Sequence, residues 1–306
     1  MNTASTTTTL PIIGNDGMDS LVTPWCELFQ RQHPEILFTC TMEGSSTAIM
    51  ALAANASWVA PISRSPWQYE LDAFLQVKGY APTCIHVGYN GHGPRADAKT
   101  PPAFYVNQRN PLQGLTMAQV RALFARGNPQ GEISMWSQLG LQEEYQHRRI
   151  HLYGLHDDGK YATAFRHLHL QGLPYPPHYE PLPDRQAVLE AVANDPFGIG
   201  TVGWFNAAAF AKQTRIVALA ADDRMDYMLP DLANVGRGNY PLSSYVSLYF
   251  DLPPGQKLNP ELKTWLSLTL SSEGQAIVAA QTNSAEGYIP LEPSMLDIQR
   301  QRLAQF

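Results

Sequence analysis

The sequence predicts an α/β layer structure arranged as two lobes. Three observations carry that expectation. Short apolar runs alternate with helical stripes across short turns, the pattern of strand–helix units on a mostly parallel sheet. A polar, Gly- and Pro-rich loop from Asn90 to Pro102 interrupts the alternation, and a second break falls near Gly236–Pro241. These breaks divide the chain into a discontinuous first lobe, residues 1–91 with 239–306, and a second lobe, residues 92–238, joined by a double crossing.

Each element has a local reason. Leu10–Gly14 is a short apolar strand ending in Gly-Asn-Asp-Gly. Met18, Leu21, Trp25, Leu28 and Phe29 then recur at helical spacing until Pro34 stops them. Ile36–Thr41 is a strand, Ser46–Ala54 a helix, Trp58–Ile62 a strand, Tyr69–Lys78 a helix and Thr83–Gly88 a strand. In the second lobe Ala103–Asn107, Ile150–Tyr153, Ile199–Val202 and Ile216–Leu219 read as strands. Met117–Phe124, Tyr161–Leu168, Arg185–Asn194 and Asn206–Lys212 read as helices, and Pro174–Pro183 as a loop. Val246–Phe250 returns as a strand before helices at Glu261–Leu270 and Ser272–Gln281.

Composition narrows the function. A chain of 306 residues, 44% apolar and 16% charged, has the makeup and length of a globular protein with a sizeable core. A formal net charge of −6 argues against general nucleic-acid or anionic-membrane binding, yet local dipoles can still hold a small anion. No apolar run approaches a membrane-spanning length. Met1–Leu10 is Thr-rich and polar, unlike a signal peptide, and reads as a leader remaining after signal removal. Cys26, Cys40 and Cys84 are too few for a disulfide framework and are expected to be buried thiols. Cys40 and Cys84 both lie in strand-like runs and could be neighbours in one sheet.

The stretch from Glu43 to Arg64 is the most informative. A strand enters Gly44-Ser45-Ser46-Thr47, which starts a helix, and an apolar strand follows up to Ser63-Arg64. Hydroxyls at a helix start are common as an ordinary N-cap and also suit an anion site. Arg64 reads either as a cation for an anionic ligand or as one half of a salt bridge.

Several stretches resemble the phosphate-binding component of bacterial high-affinity phosphate uptake systems. They run in that family's order: Gly14-Asn15-Asp16-Gly17-Met18, Glu43-Gly44-Ser45-Ser46-Thr47-Ala48, Ala60-Pro61-Ile62-Ser63-Arg64 and Asn110-Pro111-Leu112-Gln113-Gly114-Leu115-Thr116. Trp136-Ser137-Gln138-Leu139-Gly140, Gly198-Ile199-Gly200, Tyr240-Pro241-Leu242-Ser243, Ser271-Ser272-Glu273-Gly274 and Gly287-Tyr288-Ile289-Pro290 follow. The resemblance covers nearly the whole chain. It implies a type II, venus-flytrap periplasmic-binding-protein fold with a hinge of two crossing strands. It further implies a monomer that captures phosphate or another small anion between its lobes and delivers it to a membrane permease or signalling partner. It implies a periplasmic or secreted location, and neither catalysis nor a cofactor. On this reading Gly17, Met18, Ser45, Ser46 and Thr47 form the first-lobe shelf, Arg64 stands at its rim, and Lys160 and Tyr161 come from the second lobe.

The chain departs from the family pattern at two places. Leu155 and Gly159-Lys160-Tyr161 stand where an Arg and a Ser-Gly-Thr turn are usual, and Gly17 replaces a usual Thr. The alternative reading is therefore a diverged member with a different ligand, or a protein-interaction or sensory component.

Other constellations carry less. His147 and His151 have the spacing of a helical zinc pair, but the second falls in a strand. Asp157-Asp158 reads as a helix cap or a site for a cation or ligand hydroxyl. Tyr175, Tyr179 and Trp204 read as packing residues or as a ligand stack. Gly88–Gly93 lacks the helix a phosphate cradle needs. No Gly-x-Ser-x-Gly elbow and no Cys-x-x-Cys pair occurs.

Overall fold

The computed structural model describes residues 8–95, 100–205 and 209–306. The chain falls into two compact units, one of Met1–Gly91 with Ser244–Phe306 and the other of His92–Ser243. The second boundary follows Ser243, not residue 238. The reason is local: Asn239 and Tyr240 donate backbone N–H groups to Asn234 O, and the buried Tyr240 hydroxyl donates to Pro102 O at 2.6 Å.

The first unit begins with β1 (Thr8–Gly14), a 3-10 turn at Asp16–Met18 and α1 (Asp19–Gln30). Then come β2 (Ile36–Met42), α2 (Ser45–Ala53), β3 (Ala60–Ile62), α3 (Gln68–Lys78) and β4 (Thr83–Asn90). The second unit holds β5 (Pro102–Asn107), β6 (Gly114–Thr116), α4 (Met117–Phe124), β7 (His151–Leu155) and α5 (Tyr161–His169). It continues with β8 (Tyr179–Leu182), α6 (Arg185–Asn194), β9 (Gly198–Gly203), β10 (Thr214–Ala220) and α7 (Leu232–Gly236). The chain returns to the first unit with β11 (Ser244–Phe250), α8 (Pro260–Thr269), α9 (Ser272–Ala280), β12 (Ile289–Pro290) and α10 (Pro293–Ala304).

Three expectations need correction. The sheets are mixed, not mostly parallel. In the first unit β1 and β2 pair in parallel, but the sheet ordered β12-β4-β11-β3 is joined by antiparallel pairs. In the second unit, ordered β6-β10-β5-β9-β7-β8, the β5 pairs are antiparallel and the others parallel. Strand–helix alternation therefore misjudged direction. The predicted Pro174–Pro183 loop also contains β8. Of the expected helix at 206–212, residues 206–208 lie outside the described residues, and the remainder is a turn.

In the first unit, β1 is tied to the β3 segment by Trp58 N–H to Pro11 O at 2.8 Å and Asn15 N–H to Pro61 O at 3.0 Å. Pro11 and Pro61 lack the N–H of a regular ladder, so this seam is sparse. The predicted stripe is buried at Met18, Leu21, Trp25 and Phe29 and half-buried at Leu28, with Trp25 edge-on to Trp265 at 6.2 Å and Phe29 against Phe38 at 6.0 Å. Phe104, Phe124 and Phe165 form the corresponding centre of the second unit, 5.4–6.4 Å apart. Cys40 and Cys84 do not share a sheet, since Cys40 is on β2 and Cys84 on β4. Cys26 is buried as expected, but Cys40 is exposed and Cys84 half-buried.

Candidate functional site

Register builds the first-unit site. Gly14 pairs with Met42, so β1 and β2 end level and their following turns leave side by side. Gly44 N–H donates back to Gly14 O at 3.0 Å. Gly14 has to be glycine, because a Cβ there would stand 2.7 Å from Pro61 O. Gly44, at φ 145° and ψ 155°, turns the chain into α2 without a side-chain cap. The first N–H groups of that helix thus keep their positive end without an intrinsic capping oxygen.

Asn15 is the hub of this corner. It is 7% exposed, and its Oδ1 accepts from Met18 N–H at 3.2 Å and Ser63 Oγ–H at 3.1 Å. Its Nδ2 donates to Ser45 Oγ at 2.9 Å and Asp16 Oδ1 at 3.0 Å. Asn15 and Ser63 were missed as site residues. The signal was present: an Asn directly after a strand is a natural cap, and Ser63 adjoins the singled-out Arg64.

The hydroxyls have distinct roles. Ser45 Oγ accepts from Asn15, so its own proton remains for another acceptor. Ser46 Oγ lies 3.4 Å from Arg64 Nη2 as an acceptor and keeps its proton likewise. Thr47 Oγ1 instead donates to Gly44 O at 2.8 Å, which commits its proton. Met18 is buried and its N–H is taken by Asn15. At Gly17 a Cβ would collide with the Glu286 carboxylate and stand 2.8 Å from the Tyr288 hydroxyl. A Thr here would require the Glu286 carboxylate to swing aside, so that carboxylate occupies the space at the Gly17 departure. Burial, then the Glu286 carboxylate, pushes the Tyr288 phenol well up, so it stays neutral.

Arg64 is the salt-bridge half of its two readings. Its guanidinium grips Glu70 bidentately at 2.7 and 2.9 Å, and Glu70 is 0% exposed. Trp67 N–H caps the same carboxylate at 2.7 Å, and the Trp67 ring lies 4.5 Å from the Arg64 guanidinium. The cation of the expected rim is therefore already spent on a buried anion, touching the α2 start only through Ser46.

In the second unit the two predicted residues point to different surroundings. Lys160, at the start of α5, is 84% exposed on its side chain and 3.9 Å from Asp158. Tyr161 turns its hydroxyl inward to 3.5 Å from Thr201 Oγ1 on β9. The turn before α5 closes on itself: Gly159 N–H donates to Thr163 Oγ1, which donates to Asp157 Oδ1, while Arg166 Nε binds Asp157 Oδ2 at 2.8 Å. Asp157 is thus an internal tie of α5.

The remaining candidates resolve as packing. Tyr175 and Tyr179 stack on each other at 4.2 Å and donate to Ala162 O and Leu155 O. Trp204 covers Gly93, where a Cβ would meet its backbone oxygen at 2.7 Å. His151 Nδ1 pairs with Asp195 at 2.6 Å on a strand, so it cannot share a helix face with His147. Among the described residues no group of three or more His, Cys, Asp or Glu is placed to hold a metal, and no helix is long and apolar enough to cross a membrane.

Comparison with known proteins gives consistent results. The PBP superfamily domain model matches residues 2–273. The phosphate-binding protein PstS of Pseudomonas aeruginosa is 31% identical over 286 residues, covering 92% of this chain and 83% of that protein. Among solved structures, PstS from Borrelia burgdorferi has a TM-score of 0.64 at 15% identity, covering 93% of this chain and 99% of that one. A possible phosphate binding protein from Planctomyces limnophilus gives 0.56 at 20% identity, with 98% of both chains covered. At these identities the structural matches speak for the fold alone.

Proposed function

This chain belongs to the PBP superfamily and, within it, to the PstS phosphate-binding proteins, and from that premise we propose that it captures phosphate and hands it to a membrane permease. The first-unit shelf is the binding surface. The observation that carries this reading is the pair of serine hydroxyls at the start of α2, each accepting from a neighbour and each keeping a proton to give. They stand with helix N–H groups that lack a capping side chain. Donors at a helix N-terminus suit a phosphate oxygen. Asn15 and Ser63 position Ser45, Gly17 and Met18 frame the neighbouring turn, and Thr47 fixes the bend at Gly44. Arg64 orients Ser46 and stabilises buried Glu70. In the second unit Lys160 is an exposed, flexible point cation, and Tyr161 braces the start of α5 through Thr201.

A carrier of this kind works as a monomer in the periplasm or outside the cell and carries out no catalysis. A signalling component that senses the loaded protein is a further partner of the same class. Calorimetric titration and thermal unfolding with inorganic phosphate test the reading. Saturable heat and a rise in melting temperature are expected, because a ligand that binds only the folded state stabilises it. No heat and no shift at roughly millimolar phosphate would overturn it, since a site that weak leaves stability unchanged.

A further inference from the structure

Two of the three cysteines meet. Cys26 sits on the buried face of α1 and Cys40 on β2, close enough for each thiol to shift the other's ionisation. The packing explains the meeting. Cys26 and Phe29 are three residues apart on one helix face, and Phe38 and Cys40 are two apart on one strand face, so the Phe29–Phe38 contact at 6.0 Å sets the two cysteines opposite each other. Cys26 is 4% exposed, whereas Cys40 is open to solvent. Cys84 lies on β4 of another sheet, where it pairs in register with Tyr249 of β11.

We propose that Cys26 and Cys40 are an oxidisable pair that closes into a disulfide joining α1 to β2 when the protein meets a disulfide oxidant. The chemistry is asymmetric. The neighbouring Cys40 and burial drive the Cys26 thiol up, while the neighbouring Cys26 holds the Cys40 thiol below its ordinary value. Cys40 is therefore the nucleophile, being both exposed and the readier thiolate. Its sulfur attacks a disulfide RSSR, forming Cys40–S–SR and expelling RS⁻. The Cys26 proton goes to that thiolate, and Cys26 sulfur then attacks Cys40 sulfur and expels the second RS⁻, which takes up the proton Cys40 had lost. The sum is two protein thiols plus RSSR giving one protein disulfide plus two RSH. The bond ties together the two elements that lead into and out of the shelf corner, and it forms whether or not that shelf takes phosphate.

The test treats the full chain with oxidised glutathione, then alkylates it in denaturant and maps the peptides. The expected result is loss of alkylation at Cys26 and Cys40, retention at Cys84, and a cross-linked Cys26–Cys40 peptide. Cys84→Ser is expected to lose all its alkylatable thiols in the same treatment. In Cys26→Ser the reaction is expected to stop at a glutathione adduct on Cys40, which identifies the attacking sulfur. A stable adduct on Cys40 beside an unreacted Cys26 in the unsubstituted chain would overturn the inference. So would a Cys40–Cys40 dimer, or three unchanged thiols.

Discussion

The turn after β2 and the turn after β7 hold the same place in a strand–turn–helix unit, yet they use their hydrogen-bonding groups differently. At α2 the groups that touch the two serines are Asn15 and Arg64, with Ser63 and the Asp16 carboxylate bonded to Asn15 behind them. The nearest cation is balanced by a buried Glu70. At α5 the neighbours are the carboxylates Asp157 and Asp158, with Thr163 and Arg166 folded back onto Asp157. Each helix start offers a positive dipole end. The lesson is that the dipole alone does not make an anion site. Neither helix start has a side-chain cap, but the first turn leaves two serine hydroxyl protons uncommitted, whereas the second commits the Gly159 N–H and the Thr163 hydroxyl to its own loop.

Substitutions can break this comparison at graded depth. The largest effect is expected for Arg64→Ala, which strands the Glu70 carboxylate. Breaking a buried pair in this way costs about 3–5 kcal/mol, read as a lowered urea midpoint with an unchanged slope. A variant as stable as the parent would mean that Glu70 does not depend on Arg64.

Acid is expected to weaken both units together. His86 on β4 and His169 on α5 are each driven down from 6.5 to about 4, chiefly by burial. A histidine with a depressed folded value contributes stability that is fully present above 6.5 and is lost as pH falls toward about 4. Urea midpoints measured across that window should fall continuously on acidification. A flat profile would mean that neither ring is held neutral by the fold.

Asp157→Ala should loosen only the second unit, by about 1 kcal/mol for lost hydrogen bonds at a half-exposed site. Hydrogen exchange over α5 would read it, with the α2 region unchanged. Faster exchange at α2 would contradict the independence of the two turns. Lys160→Ala should have the smallest effect, within about 0.5 kcal/mol on stability. Its effect on phosphate affinity should stay below roughly fivefold, the scale of an exposed ion pair. A loss of several decades would make Lys160 the principal cation of the site.

Much of the fold was legible because it rests on local rules. The α1 stripe, the stop at Pro34, the Gly44 turn and the start of α5 follow from periodicity and caps. Strand direction was not legible. Apolar runs such as those of β4 and β11 carry no sign of whether a partner runs with or against them. The site was half legible. Ser45 and Ser46 stood out as hydroxyls at a helix start, but Arg64 could be resolved only by finding Glu70 wholly buried beneath it. Tyr161 faces Thr201 across the second-unit sheet, forty positions away in the chain, and no local pattern announces such a contact. Glu286 and Tyr288 reach Gly17 from the other end of the chain, and no local pattern announces that their side-chain ends stand where a Thr side chain would go.

The central claim is that the α2 start supplies the ligand's hydrogen bonds. Calorimetric titration of phosphate into the parent chain and into the Ser45→Ala, Ser46→Ala double variant tests it most directly. Each hydroxyl bonded to a charged oxygen is worth about 1.5–3 kcal/mol. The double variant is therefore expected to lose at least about two decades of affinity, with its melting temperature in buffer alone nearly unchanged. Equal affinity in the two proteins would contradict the account and move the site away from this turn.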